Sequence, residues 1–211
     1  MPTATFADVV TSEEQLREIV GAPSDLVLRK QLPALDDHCR AFIAHAPFLL
    51  VGTANARGMC DVSPRGDAPG FVHVLDDRTL LVPDRPGNRR LDTLRNILEN
   101  PRVGLLFVIP GVEETLRVNG SARIVRDEAL LESMAVQGKQ PLLALAVDVE
   151  EAFLHCAKAF KRSHLWQPDH WPDRSVLPSL GRLLLDQVKP NDTTVAELEG
   201  QIEESYQKRL Y

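Results

Sequence analysis

The sequence has no excess of positive charge. Its 24 Lys and Arg are outnumbered by 30 Asp and Glu, for a formal charge of −6 over 211 residues. That argues against binding nucleic acid over the whole surface, while leaving room for a local basic pocket. Cysteine is scarce too. Cys39, Cys60 and Cys156 are far apart and form no Cys-x-x-Cys, which fits a reducing compartment and not a disulfide framework. The opening Met-Pro-Thr-Ala-Thr-Phe-Ala-Asp has neither the basic nor the apolar part of a secretory signal, and no apolar run approaches the ~20 residues of a membrane span. A cytoplasmic location without membrane association is therefore expected. Gly-x-Gly-x-x-Gly and Walker loops are missing, which leaves dinucleotide-binding and P-loop folds unsupported. The six histidines include no His-x-x-x-His and no Cys/His spacing suited to zinc, so no metal site is expected.

What remains is a globular composition, 44% hydrophobic and 26% charged, patterned in two ways. Near the start, Ser12-Glu-Glu-Gln15 is a capping-box pattern ahead of Leu16, Ile19 and Val20, and it predicts a short helix ended by Gly21 and Pro23. A second helix is predicted with Pro33 in its first turn, carrying Leu35, Cys39, Phe42, Ile43 and Ala46 at helical spacing. From residue 48 the pattern turns to short β-branched runs. Residues 48–54 and 59–63 flank the turn Asn-Ala-Arg-Gly (55–58). Residues 71–75 and 79–82 flank Asp76-Asp77, while 102–109 and 113–125 flank Pro110-Gly111, and 142–149 supplies a later strand. About seven strands joined by tight turns favour an antiparallel barrel or sandwich.

Helices are predicted at 89–99 and at 150–163. In the second, Glu150 and Glu151 open the first turn and Lys158, Lys161 and Arg162 close the last, the polarity that a helix dipole favours. Further helices are expected near 179–188 and after the capping box Thr194-Val-Ala-Glu197.

Two stretches carry chemistry. Pro-Asp-Arg-Pro-Gly-Asn-Arg-Arg (83–90) follows a strand and opens the helix at 89–99, with Asn88 as N-cap and Arg89 and Arg90 in the first turn. Cations are unfavourable at that end of a helix unless an anion faces them. A phosphate would be gripped there by N–H groups and guanidinium forks together; a solvated surface turn is the alternative. In Cys-Asp-Val-Ser-Pro-Arg-Gly-Asp (60–67), Asp61, Ser63, Arg65 and Asp67 alternate along an extended segment and share one face. They could line the rim of a flat polar ligand, or simply face solvent on a hairpin. His155 and His164 are read as packing or interface residues, and Cys156 as structural. Trp166 and Trp171 either cover a ligand or anchor their loop.

The run Leu-Asp-Thr-Leu-Arg-Asn-Ile-Leu-Glu-Asn-Pro-Arg-Val-Gly-Leu-Leu-Phe (91–107) after Gly-Asn-Arg-Arg resembles the flavin-binding stretch of the pyridoxamine 5′-phosphate oxidase family, most clearly over about residues 47–125. Val-Ser-Pro-Arg-Gly-Asp (62–67), His-Cys-Ala-Lys-Ala (155–159) and Arg-Ser-x-Leu-Trp (162–166) are similar to one branch of its FMN-binding proteins. The Arg- and His-rich C-terminal segment of the true oxidases has no match in Tyr-Gln-Lys-Arg-Leu-Tyr (206–211). The resemblance implies a mainly β fold with peripheral helices (α+β), an antiparallel Greek-key split β-barrel. Its parts would be an N-terminal helical extension at 1–46, the FMN-binding barrel at 47–163, and a loop with helices at 164–211 packing on the barrel or on a partner. It also implies a homodimer with FMN at the subunit interface and a small-molecule substrate. Asn88, Arg89 and Arg90 would hold the FMN phosphate, Ser63 and Arg65, with Asp67 beyond them, would lie along the ring and ribityl, and Thr115 would stand near the flavin. Lys158, Arg162 and Trp166 would arrive from the second subunit. An FMN-dependent oxidoreductase is the function expected. A deazaflavin (F420)-dependent reductase and a non-catalytic flavin or haem binding or sensing protein are the rivals.

Overall fold

A computed structural model describes residues 4–211; Met1, Pro2 and Thr3, where the expected N-terminal extension begins, lie outside the described residues. The chain divides into two compact units, one ending at Gln31 and the other spanning Leu32–Tyr211. In the first unit, helix α1 (Glu13–Val20) is capped by Ser12, whose hydroxyl accepts the Gln15 N–H, and stops at Gly21 with φ 80°. The Gln15 side chain reaches back to the N–H of Thr11 at 2.9 Å, one residue short of a regular capping box. Helix α2 (Asp25–Arg29) follows and was not foreseen.

The second unit opens with Leu32, whose N–H and C=O both bond Ala152 at 2.9 Å. That pairing delays helix α3 to Asp37–His45, where Asp36 caps the Cys39 N–H. Seven strands follow: β1 (Phe48–Ala54), β2 (Cys60–Gly66), β3 (His73–Val74), β4 (Thr79–Pro83), β5 (Arg102–Val108), β6 (Thr115–Val125) and β7 (Ala144–His155). They form one sheet in the order β2-β1-β5-β6-β7-β4-β3, with every neighbouring pair antiparallel. Helices α4 (Asp92–Glu99), α5 (Glu128–Ser133), α6 (Lys158–Ser163), α7 (Leu180–Val188) and α8 (Val195–Lys208) complete the unit. No helix among the described residues is long and apolar enough to cross a membrane.

Burial explains the strand patterns. β1 and β5 alternate because one face enters the core through Leu49, Val51, Val103, Leu105 and Phe107. β4 reads as a continuous apolar run because both its faces are covered. Leu80 and Val82 enter the main core, while Leu81 packs with Leu131 and Met134 near α5. Helix α3 gives Cys39 and Ile43 to the main core and α4 gives Leu94 and Ile97. Residues 32–46 therefore pack with the sheet, in the unit that starts at Leu32. Residues 164–211 fall in this same unit. Cys39 is 3% exposed, and burial, aided by the nearby Asp36 carboxylate, pushes its thiol up to about 11.

The helix predicted at 150–163 is a strand over its first half. Residues up to His155 pair with β6, Ala152 is fully buried, and only Lys158–Ser163 is helical. Glu150 and Glu151 serve cross-strand partners instead of a helix dipole. Glu150 pairs with Arg102, and Glu151 accepts from Arg117 at 2.5 Å and from Asn119 at 3.0 Å. Tertiary pairing overrides the local charge pattern.

A bulge lets these long strands stay paired. Asn119 faces Glu151 and Gly120 faces Val149, leaving Glu150 as the extra residue. At Gly120 an added Cβ would lie 2.0 Å from the Asp148 carbonyl oxygen, so only glycine fits without moving backbone. Gly120→Ala should lower unfolding stability by about 2 kcal/mol or more, read from the urea midpoint at unchanged slope.

Candidate functional site

The strand β2 stands at one end of the sheet order and β4 next to the other, with β1, β5, β6 and β7 between them. The residues that follow β4 nevertheless meet side chains on and just past β2. Three groups build the meeting point: the core-side face of β2, the loop 84–91 after β4, and the first turn of α4.

On β2, pairing with β1 sets Asp61, Ser63 and Arg65 opposite Thr53, Val51 and Leu49, so all three point toward α4 and the core. Thr93 of α4, 3% exposed, donates its hydroxyl to Asp61 Oδ2 at 2.9 Å. A threonine has one O–H, so in its 2.7 Å contact with Ser63 Oγ the serine is the donor. Ser63 in turn accepts from Arg65 Nη1 at 3.0 Å. The result is a directed chain, Arg65 to Ser63 to Thr93 to Asp61, with a cation at one end and a carboxylate at the other. Asp61 also lines a groove of about 490 Å³ floored by Gly52 and Gly104.

The loop is tied to β2 twice. Asp84 Oδ1 lies 3.7 Å from Arg65 Nη2; burial pushes its carboxyl up, and Arg65 offsets part of that. The side chain of Asp67, just past β2, is 2% exposed and accepts from Arg85 Nε at 2.7 Å. Its other oxygen accepts from the Ala68 N–H and the Tyr211 hydroxyl, each at 2.8 Å. Burial alone would raise this carboxyl, but the Ala68 and Tyr211 hydrogen bonds and the Arg85 guanidinium together hold it below its ordinary value.

Beyond Arg85 the loop differs from the sequence reading. Helix α4 starts at Asp92, so Asn88 is not its N-cap and Arg89 and Arg90 precede it. Arg89 and Leu91 take left-handed backbone, φ 59° and 62°, which interrupts the helix. The Asn88 side chain closes the turn by accepting the Arg90 N–H at 3.0 Å. Arg90 Nε donates to Asp92 at 2.8 Å, and Arg89 is exposed.

The remaining predicted residues collect elsewhere. Thr115, buried at the start of β6, pairs with His155. Trp166 donates Nε1–H to the Val112 carbonyl at 2.8 Å and stacks with Phe160. Trp171 donates to the Leu165 carbonyl, so both indoles anchor their loop. Lys158 and Arg162 are exposed on α6, which Lys161 fastens to Glu113 at 2.6 Å. Within the chain β1 and β5 separate this group from β2.

The sequence reading missed Thr93, Asp84, Arg85 and Tyr211. Thr93 had a signal, a polar residue on the apolar face of a helix. Tyr211 had none, since it meets Asp67 from 144 positions away. Asp67 contributes stability that is present above the ordinary carboxylate value of 3.8 and is lost as pH falls through its depressed folded value. Asp67→Asn, which leaves the Arg85 guanidinium without its carboxylate, should cost about 3 kcal/mol at neutral pH. The gap between the two proteins' urea unfolding curves should narrow below pH 3.8.

No protein of curated function gives a significant match to the chain. Among solved structures, HupZ of Group A Streptococcus is 22% identical, with TM-score 0.47 over 57% of this chain and 93% of that one. A Clostridium acetobutylicum protein related to general stress protein 26 of B. subtilis (pyridoxinephosphate oxidase family) is 17% identical, with TM-score 0.43 over 56% and 85%. An FMN-binding protein from Syntrophomonas wolfei subsp. wolfei is 11% identical, with TM-score 0.42 over 68% and 96%. The family model described as pyridoxamine 5′-phosphate oxidase matches residues 35–156. That span is more than half of the chain and holds the whole sheet together with the β2 and 84–91 segments. On that match the chain belongs to the pyridoxamine 5′-phosphate oxidase family.

Proposed function

We propose that the protein binds FMN and acts as an FMN-dependent oxidoreductase on a small molecule, as a split-barrel homodimer with the cofactor at the subunit interface. The observation that carries this reading is the loop 84–91, which displays Arg89 and Arg90 on a turn fastened to the polar face of β2. Phosphate fits that donor set: two guanidinium groups with forked N–H donors, on a loop turned through left-handed backbone at Arg89 and Leu91. Arg90 already bonds a carboxylate, Asp92, and a phosphate would compete for it. Ser63 and Arg65 offer polar groups along an extended strand, as the edge of a flat heterocycle requires.

When bound, FMN supplies hydride transfer, which amino-acid side chains cannot perform. The chain's own part is to hold and orient it. Arg65, fixed by Ser63 and Asp84, sets a positive charge where reduction builds up negative charge. Both oxygens of Asp67 are committed to Arg85, Ala68 and Tyr211, so its role is to brace the loop from behind. Lys158, Arg162 and Trp166 reach the cofactor from the second protomer, which explains their distance from β2 within one chain.

Titration with FMN should quench flavin fluorescence at one site per chain. Arg89→Ala and Arg90→Ala should each weaken binding by roughly 10- to 100-fold, the value of a hydrogen bond to a charged group. A colourless protein that takes up no FMN, or an Arg89→Ala/Arg90→Ala double variant that binds like the parent, would overturn the reading.

A further inference from the structure

Three parts of the chain far apart in sequence converge on one carboxylate. Asp67 follows β2, Arg85 opens the loop after β4, and Tyr211 follows α8. The Arg85 guanidinium donates to Asp67 Oδ2 at 2.7 Å, while the Tyr211 hydroxyl takes Oδ1 at 2.8 Å. The Tyr211 ring lies under the Arg85 guanidinium, 5.6 Å from its carbon to the ring centroid. Tyr211 thus touches both members of the ion pair. Its main-chain oxygen accepts from Lys139 Nζ at 3.0 Å, which fixes the segment from a second side.

The loop that Arg85 opens needs such a fixture. Arg89 and Leu91 hold left-handed backbone, which is strained for any residue that carries a Cβ. Such residues persist only where their surroundings over-determine them. The exposed residues 86–90 have little packing of their own, so the constraint enters at the loop's two ends. One end is Asp84 and Arg85, and the other is the first turn of α4, where Thr93 is buried. At the first end, the direction of the Arg85 side chain depends on how the Asp67 carboxylate is turned, and Tyr211 is one of the groups that turn it.

We infer that Tyr211 is a positioning residue for the anion-binding loop, acting through Asp67 and Arg85 and coupling the segment after α8 to the loop that faces the phosphate. The identity of the ligand rests on the function proposed above; the mechanical link between Tyr211 and the loop does not. Coupling runs both ways. A ligand that orders the loop tightens the grip on Tyr211, and loosening Tyr211 weakens the ligand.

Hydrogen exchange and FMN titration on the full chain test this together. Tyr211→Phe removes only the hydroxyl and keeps the ring beneath Arg85. In the ligand-free protein it should speed amide exchange in residues 84–91 about tenfold, and it should raise the FMN dissociation constant about tenfold. Lys139→Ala, which loosens the segment without touching the ion pair, should do less to both. In a double-mutant cycle, Tyr211→Phe and Asp67→Asn should be strongly non-additive in FMN affinity, because the hydroxyl acts through that carboxylate. A merely structural tyrosine would shift global stability and give additive effects on binding. Unchanged exchange in 84–91 overturns the inference whatever FMN does. A loosened loop with unchanged FMN affinity overturns it as well. If the parent protein takes up no FMN, the proposed function falls, and the exchange measurement alone decides the role of Tyr211.

Discussion

One ion pair joins the end of β2 to the start of the loop after β4. The strand β2 and the loop after β4 sit on opposite sides of four intervening strands, yet Arg85 and Asp67 form a nearly water-free ion pair between them. Burying such a pair costs several kcal/mol per ion before attraction and hydrogen bonds offset it. Here the offset is complete on the carboxylate side, since both oxygens have donors. That contact fastens the start of the loop to the end of β2, while α4 is seated separately by Leu94 and Ile97 in the core and by Thr93 on Asp61 and Ser63.

Around this fixed point the site is arranged as an electrostatic gradient. The directed chain from Arg65 to Asp61 is polarised along its length, and each hydroxyl in it has a single possible direction of donation. Such a chain is preorganised, with no side chain needing to reorient when charge appears nearby. The loop is different. Its two arginines are exposed, one of them leaning on Asp92, and its backbone is locally strained. Rigid strand and poised loop meet at Asp84 and Arg85, adjacent residues with opposite charges and different partners.

Much of the fold was legible from alternation and turn chemistry. Strands β1, β5 and β6 fall within a few residues of their predicted limits, because one-sided burial leaves a period of two, and α7 and α8 form where residues 179–188 and the Thr194 capping box predict them. What failed did so where distant pairing decides. Glu150 and Glu151 looked like a helix start because their true partners, Arg102, Arg117 and Asn119, lie on other strands. Asn88 looked like an N-cap because nothing local announces that Arg89 and Leu91 turn left-handed. Among site residues, the β2 set could be grouped from its alternation. Tyr211 could not, as no local pattern ties it to residue 67.

The cysteines lead to a practical end. Cys39 is shielded in the core and its thiol stays protonated well above neutral pH, while Cys60 and Cys156 are exposed. Thiolate is the reactive form, so a maleimide dye at neutral pH would choose the two exposed addresses. One opens β2, three residues before Ser63; the other follows β7, two residues before Lys158. These are the two groups of proposed site residues that β1 and β5 separate within the chain. The chain therefore already carries attachment points for a spectroscopic ruler, able to report how far those groups stand from each other.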